Sequence, residues 1–442
     1  MPSAALADPA PHLVAARQLQ AFSFAFHIVL VAFGVAMPAF TLVAEVIARR
    51  RGDGPLLDLA RRWSKVMVVL FAIGVVSGTV LSFEMGLLWP GFMGRYGAVF
   101  GSAFAMEGFA FFVEAIFLAI YVYGWERLPA RWHMASGIPV VLAGLAGSLF
   151  VLSVNGWMNT PTGFRLDGGR PVDIRPVDAL LNAHLAHTFV HMTLATYMVA
   201  GFVVAGVYAR GWLRGRRDRV QRMAVLIPLG FACAAAPAQL VVGDWAGRMV
   251  AENQPVKLAA FEGQYRTEAG APVHIGGFYR DGEIVGGIRI PRMLSLLAFH
   301  DPSARVQGLE SVPAADRPPV NVVRFAFQAM VGIGTALAAL AAWFWWSAWR
   351  RRGPPRSRLF WWGLVAAGPA SVIALWAGWT TTEVGRQPWV VYGLMRTSEA
   401  VTASRAVVPA FVILAVVYLA LAAAGVWVVR RVGARPAGGE AS

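Results

Sequence analysis

The chain has 442 residues, of which 57% are apolar and only 14% are charged, and its formal net charge is +15. Soluble domains average about 45–50% apolar and about 25% charged residues, so this composition excludes an ordinary soluble protein. No basic soluble segment is present that would bind nucleic acid, so the positive charge does not indicate a nucleic-acid-binding protein.

Nine apolar runs are long enough to cross a bilayer, which requires about 20 residues per helix. They predict an all-α membrane protein of about nine transmembrane helices, forming one domain over residues 1–442, with spans near residues 20–47, 65–88, 100–124, 134–154, 184–209, 223–243, 322–348, 359–379 and 406–429. If the runs alternate in direction, the clusters of Arg and Lys all lie on one side. The positive-inside rule predicts that this side is cytoplasmic, with the N-terminus outside and the C-terminus inside.

Several polar side chains lie within the predicted helices in a layer under the outer surface, with Glu383 at the outer end of its helix and Glu114 two turns deeper than Glu107. In chain order they are His27, Glu107, Glu114, His191, Met330 and Glu383. Taken singly, a membrane histidine is as often a hydrogen-bonding residue between helices as a ligand, and a methionine usually fills a core. Together they favour haem ligation, because imidazole and thioether groups are haem-iron ligands. His184, His187 and His191 share one helical face, and chemistry alone does not choose among them.

Two further features complete the chain. Residues 244–321 predict a long external loop, and Asp281–Gly282 between alternating arms predicts a hairpin within it. Glu383 ends the eighth predicted helix, where a carboxylate is costly unless it is paired or bound to a metal. On spacing alone, a glutamate paired with Arg386 is an equally good interpretation. The single cysteine, Cys233, excludes an internal disulfide and an iron–sulfur cluster.

The segment 378–389 reads GWTTTEVGRQPW and resembles the GWxxxExGRQPW signature of subunit I of cytochrome bd-type quinol oxidases. Other stretches resemble motifs of the same family, namely Leu19–His27, Met106–Gly108, Phe111–Glu114, Asn155–Met158, Phe189–His191, Gln254–Glu262 and Phe325–Met330. The resemblance therefore covers nearly the whole chain.

The resemblance implies a set of cofactors and their ligands. His191 and Met330 would ligate a low-spin haem b, and His27 a high-spin haem. Glu383, with Trp379 and Arg386, would serve a di-haem centre that contains a high-spin haem b and haem d, or a further haem b in place of haem d. Which high-spin haem His27 and Glu383 each ligate stays open.

The resemblance also implies a reaction and its partners. Lys257 and Glu262 would contact the head group of a quinol, ubiquinol or menaquinol, at the outer face, and O2 would be reduced to water. Glu107 and Glu114 would carry protons from the inside, so that charge is separated without a pump. The expected partners are a second large subunit (subunit II) and a small single-helix subunit, in a bacterial cytoplasmic membrane.

Three departures from the family pattern bear on these expectations. Glu107 and Glu114 are seven residues apart where eight are expected, and Gln328 stands where well-known members often carry Arg. The loop after Glu262 lacks a long insertion, as in the short-loop branch that includes cyanide-insensitive oxidases.

A haem-free secondary transporter, with buried His and Glu as a proton relay, is the alternative function from another class of membrane protein.

Overall fold

The computed structural model describes residues 12–434. Thirteen helices follow one another in this part of the chain: α1 (Leu13–Arg51), α2 (Gly54–Leu88), α3 (Pro90–Tyr123), α4 (Ala130–Asn159), α5 (Pro176–Leu180), α6 (Leu185–Leu213), α7 (Arg219–Asn253), α8 (Pro255–Glu262), α9 (Met293–Phe299), α10 (Val320–Arg351), α11 (Arg358–Gly385), α12 (Thr397–Ala400) and α13 (Val407–Ala434). Nine of them, all but α5, α8, α9 and α12, are long and apolar enough to cross a membrane. The predicted helical membrane architecture is confirmed.

The turn between α1 and α2 shows how the sequence reverses the chain at the basic end of the bundle. Gly52 ends α1 with φ 62°, a left-handed conformation that glycine adopts without a steric penalty. Asp53 begins α2, because its side chain accepts a hydrogen bond from the Leu56 amide at 3.2 Å. The short turn makes α1 and α2 antiparallel neighbours.

Eight of the nine long helices form two four-helix groups, and the ninth, α13, packs against α1 and α2. Helices α1, α2, α3 and α4 pack in a ring, in which α1 and α3 lie diagonally opposite each other. Helices α6, α7, α10 and α11 pack in a second ring, in which α6 and α10 are diagonal. The second ring has a buried core centred on Phe202 and Leu364, whereas the core around Phe40 and Trp63 of the first ring also includes Ala200 of α6 and so joins the two rings. Cofactor sites in helical bundles are built from side chains on such facing helices.

The connection between α7 and α10 is folded, and α7 itself continues to Asn253, so the segment predicted as a loop from residue 244 begins as helix. The predicted hairpin at Asp281–Gly282 is present: strand β5 (Phe278–Arg280) pairs with strand β6 (Glu283–Val285), and both turn residues have positive φ. The strands of the described chain are short: β1 (Arg165–Asp167), β2 (Arg170–Val172), β3 (Glu268–Ala269), β4 (Val273–Ile275), β5 (Phe278–Arg280), β6 (Glu283–Val285), β7 (Ile288–Ile290), β8 (Arg305–Val306), β9 (Trp389–Val391) and β10 (Met395–Arg396). All pair antiparallel, as β1–β2, β3–β8, β4–β7, β5–β6 and β9–β10.

Candidate functional site

His191 and Met330 lie on the diagonal helices α6 and α10 of the second ring. The Gln239 side-chain amide nitrogen lies 3.1 Å from His191 Nε2, and His191 Nδ1 is buried with no hydrogen-bond partner in the described chain. A Cβ on Gly378 of α11 would stand 2.8 Å from the Met330 sulfur, so that sulfur packs directly on the glycine backbone. Both potential iron ligands therefore belong to the same ring.

His27 lies on α1 and faces α2. Its Nδ1 is 2.8 Å from the Ser77 hydroxyl, which also lies 3.1 Å from two backbone carbonyls of its own helix. Because a carbonyl only accepts, the hydroxyl proton is best used there, and His27 then donates from Nδ1. Nε2 keeps its lone pair in that tautomer. A Cβ on Gly78 would be 3.1 Å from the imidazole, so the ring packs against glycine.

Glu107 and Glu114 lie on α3, diagonal to the helix of His27. Neither carboxylate accepts a hydrogen bond from another residue in the described part of the chain. Glu114 lines a small cavity and lies opposite Gly144 of α4, where an added Cβ would be 3.6 Å from its Oε1. The seven-residue spacing turns both carboxylates to a similar side of α3, about two turns apart.

Glu383, at the end of α11, is held by two side chains. Asn155 of α4 donates to its Oε1 at 2.7 Å, and Arg386 donates to its Oε2 at 2.6 Å. The Arg386 side chain is 2% exposed, and its Nε and Nη1 have no hydrogen-bond partner in the described chain. Trp379, one turn earlier on α11, packs against Phe24 of α1 with ring centroids 5.3 Å apart. Glu383 and Trp379 therefore connect α11 with α4 and α1 of the first ring.

Lys257 of α8 lies beside this cluster. Its Nζ donates to Asn159 Oδ1 at 2.7 Å, and Gln254 donates to the same oxygen at 3.0 Å. A Cβ on Gly385 would be 3.0 Å from the lysine Cγ, so the side chain crosses the end of α11. Burial lowers the pKa of Lys257 to about 7, and the nearby Arg386 cation acts in the same direction. The ammonium and neutral amine forms are then nearly equal in free energy near neutral pH.

Glu262, the last residue of α8, lies in different surroundings from Lys257, near Arg324 of α10. Burial raises the pKa of its carboxyl to about 7, against the opposing effect of the Arg324 cation on α10. Arg324 is fully buried and donates to the backbone carbonyls of Glu262 and His274, each at 2.9 Å. Lys257 and Glu262 are five residues apart, about 140° around a helix, and no ion pair joins them in the described chain. The structure therefore gives these two predicted quinol contacts different surroundings.

Gln328 is engaged with the external loop. Its side chain donates to the His274 carbonyl at 3.0 Å and accepts from the Gly276 amide at 2.9 Å. An arginine side chain has no acceptor for the Gly276 amide. Glutamine at position 328 therefore suits the backbone at His274 and Gly276.

A polar cavity of about 600 Å³ opens beside the Lys257 cluster. It lies between the end of α4, the segment around α5 and the end of α7, and its lining includes Asn159, Asn182, Asn253 and Tyr392. Asn159 thus connects the cavity with the Lys257 ammonium at 2.7 Å.

The described side chains fit haem groups. His191 Nδ1 and His27 Nε2 are ring nitrogens that accept or donate no hydrogen bond within the described chain. Met330 packs on a glycine where a larger residue would displace its sulfur. The two unpaired donors of Arg386 suit an anionic group such as a propionate. These are the features that axial ligation and propionate binding require.

Sequence reasoning missed the residues that hold the ligands and the loop. Ser77, Gln239 and Arg324 carry no motif, and each contributes through partners on other elements. Gln254 opens a motif stretch and Asn159 follows one, but the Asn159 Oδ1 accepts from Gln254 and from Lys257, which lie 95 and 98 residues later in the chain. Gly378, which packs against the Met330 sulfur, is the exception, because it is the first residue of the signature string at 378–389.

Comparisons with known proteins agree with this architecture. The family described as cytochrome bd terminal oxidase subunit I matches residues 15–436. A Bacillus subtilis protein named "Putative cytochrome bd menaquinol oxidase subunit I" is 34% identical over 427 residues, which cover 94% of this chain and 95% of that protein. The cytochrome bd-II ubiquinol oxidase subunit 1 of Escherichia coli is 27% identical over 445 residues, covering 85% and 87%. A solved structure of bd oxidase from Geobacillus thermodenitrificans superposes with a TM-score of 0.91 at 36% identity, covering 97% of this chain and 100% of that one.

Proposed function

The chain belongs to the cytochrome bd terminal oxidase subunit I family, and we propose that it is the haem-bearing subunit of a quinol:oxygen oxidoreductase that forms water from O2. The observation that carries the proposal is the placement of His191 and Met330 on diagonal helices of one four-helix ring. A neutral imidazole and a thioether facing one bundle core are a low-spin haem ligand pair.

We assign the haem sites by the side chains that would hold each group. His191 and Met330 hold a low-spin haem b, and His27 holds a high-spin haem. Glu383, with Trp379 beside it, serves the di-haem centre, which contains a high-spin haem b and haem d or a further haem b. Bound haem supplies one-electron transfer and, where an iron position stays open, oxygen binding. Arg386 orients the Glu383 carboxylate through its 2.6 Å hydrogen bond and has two further donors for a propionate.

Quinol binding is proposed at α8, where Lys257 and Glu262 have pKa values near 7. Oxidation of a quinol releases two protons, and groups that titrate near neutrality are suited to accept them. The neutral Lys257 amine accepts a proton at Nζ, and the Glu262 carboxylate accepts one at a carboxylate oxygen. Relatives are named for menaquinol and for ubiquinol, and we propose a quinol of this class for this chain.

We further propose that the reaction separates charge without a pump. The N-terminus and α8 lie outside, and the arginine-rich ends lie in the cytoplasm, as the positive-inside rule predicts. Quinol protons then leave at the outer face. Glu114 and then Glu107 pass other protons from the cytoplasmic side to the site of water formation. Ionisable side chains within membrane helices mark proton relays.

The proposed assembly contains a subunit II and a small single-helix subunit in a bacterial cytoplasmic membrane. Family membership supports the large partner. Exposed apolar side chains on α2 and α3, such as Leu87, Phe109 and Phe112, supply faces for lipid or for a partner helix.

Oxygen uptake driven by quinol tests the proposed function. The complex with its partner subunit should consume O2 with quinol as donor, and Lys257→Ala should raise KM or lower kcat for quinol while an artificial donor that bypasses α8 still supports uptake. No quinol-driven uptake by the assembled wild type contradicts the proposal. The alternative, a haem-free proton-coupled transporter, predicts no haem absorbance in the purified chain.

A further inference from the structure

A buried polar cluster lies in the other half of the membrane from the haem ligands. Glu45 of α1 and His133 of α4 have side chains that are 0% exposed, and the Glu45 Oε1 to His133 Nδ1 distance is 2.7 Å. Tyr121 of α3 donates to Glu45 Oε2 at 2.7 Å, and Arg49 donates to Oε1 at 2.6 Å. The cluster connects three helices of the first ring and has no part in the site described above.

The hydrogen-bond pattern requires an additional proton. His133 Nε2 lies 2.8 Å from the Tyr121 backbone carbonyl, which can only accept, so Nε2 carries hydrogen. In a neutral imidazole Nδ1 would then present a lone pair to the Glu45 carboxylate at 2.7 Å. Two acceptors at that distance repel. The pair is therefore either an imidazolium with a carboxylate or an imidazole with a carboxylic acid, and both forms hold the same extra proton.

Aromatic and cationic side chains surround the Glu45–His133 pair near the cytoplasmic ends of its helices. Trp125 covers the His133 ring with centroids 4.2 Å apart, and the guanidinium groups of Arg49 and Arg61 lie over the same indole. Arg61 is also 3.6 Å from the exposed Glu126. The charged and titratable groups that face the pair are thus Arg49 from α1, Arg61 from α2 and Tyr121 from α3. Arg49 and Tyr121 donate hydrogen bonds to the Glu45 carboxylate, so the proton that Glu45 and His133 share is the one available for transfer.

A small cavity lies beside Glu114, on the outer side of the pair. It has a volume of about 10 Å³, the room of about one water molecule, and Glu114, Leu118 and Val140 line it. Val140 is seven residues beyond His133 on α4, and Leu118 is three residues before Tyr121 on α3, so the cavity lies outward of the pair. Gly34 and Pro38 of α1 also line it, and proline has no amide hydrogen to donate to the Gly34 carbonyl. The cavity thus offers a carboxylate and a carbonyl to water.

We propose that the Glu45–His133 pair is the proton donor that supplies Glu114 from the cytoplasmic side, an inference that rests on the proposed function. One proton leaves the pair through water in the cavity and binds a Glu114 carboxylate oxygen. The pair is left as a neutral imidazole facing a carboxylate, an unfavourable contact that favours uptake of a new proton from the cytoplasm. No electron is transferred in this step.

The test compares Glu45→Gln with Glu126→Gln in the complex with its partner subunit. Gln at position 45 can donate its amide to His133 Nδ1 and accept from Tyr121, so the side-chain shape and these two hydrogen bonds are kept, while the Arg49 hydrogen bond and the extra proton are lost. We expect kcat for quinol-driven oxygen uptake to fall about tenfold or more, with unchanged KM for quinol and unchanged haem content, and with a larger solvent deuterium isotope effect. Glu126→Gln, a change at an exposed carboxylate on the same side, should match the wild type.

The proton itself is detectable without turnover. In protein labelled with ¹⁵N-histidine, the His133 signal, assigned by its loss in His133→Gln, should report two protonated ring nitrogens at neutral pH, or infrared spectra should contain a protonated-carboxyl band that Glu45→Gln removes. Absence of both signals overturns the inference, and so does wild-type kcat in Glu45→Gln. If Glu45→Gln does not assemble, His133→Gln replaces it in the kinetic test, and failure of both variants to assemble makes the pair structural and also overturns the inference. A wild-type complex without quinol-driven uptake refutes the proposed function instead.

Discussion

Gly378→Ala should displace the Met330 sulfur, the proposed iron ligand, without unfolding the protein. The new Cβ would stand 2.8 Å from the Met330 sulfur, whereas ordinary contacts begin near 3.4 Å, so the sulfur must retreat by about 0.6 Å. Ligand distances in metal sites are held within about 0.2 Å, and a displacement of this size breaks or weakens the bond.

The energetic consequence for the fold is small. Overpacking of a buried position costs about 1–3 kcal/mol. Alanine is favoured over glycine in a helix interior by about 1 kcal/mol, which offsets part of this cost. The net change of about 0–2 kcal/mol is well below the total stability of a folded protein, so Gly378→Ala should still assemble.

The assay is the absorbance spectrum of the reduced complex, together with its haem content. We expect the low-spin haem bands to shift or weaken in Gly378→Ala, and to be lost in Met330→Leu, which keeps a similar side-chain volume. Gly332→Ala is the matched control on α10, because a Cβ there meets no atom within 4 Å. A wild-type low-spin spectrum in either Gly378→Ala or Met330→Leu would refute Met330 as a ligand.

Three other predictions follow from the site. Glu383→Gln should lower high-spin haem content and oxygen uptake more than Arg386→Gln does, and the reverse order would make Glu383 a structural helix-end residue. Glu262→Ala should impair quinol oxidation while haem content and uptake with an artificial donor remain; equal loss with both donors would remove Glu262 from the quinol site. The pKa of Lys257 is lowered on folding to about 7 from 10.5, so the unfolded chain binds more protons between these values and stability should rise with pH across that window. Lys257→Met should reduce this rise in thermal-unfolding measurements between pH 7 and pH 10, and an unchanged rise would show that Lys257 is not the group responsible.

The sequence predicted the membrane helices because a run of about 20 apolar residues is typical of a transmembrane helix. It predicted their ends less well, since polar residues such as Asp244 and Arg248 pair 3.0 Å apart along α7 and continue the helix beyond its apolar part. The Asp281–Gly282 hairpin was predictable because its turn depends on local backbone conformation alone.

The surroundings of the candidate residues were not predictable from one sequence. Without the family resemblance, the stretch around Lys257 indicates an interfacial amphipathic turn, but Asn159, 98 residues earlier, holds the Lys257 ammonium in a buried position. The Glu45–His133 contact joins positions 88 residues apart, and no local pattern encodes it. Such contacts depend on how the two four-helix rings bring distant helices together.

The reduced-minus-oxidised absorbance spectrum of the purified wild-type complex tests the central proposal most directly. The account predicts a Soret band and the bands of a low-spin haem b, with the low-spin bands abolished by His191→Ala and by Met330→Leu while the high-spin haems remain. A purified, folded protein without a Soret band, or with low-spin bands that survive both substitutions, would contradict it.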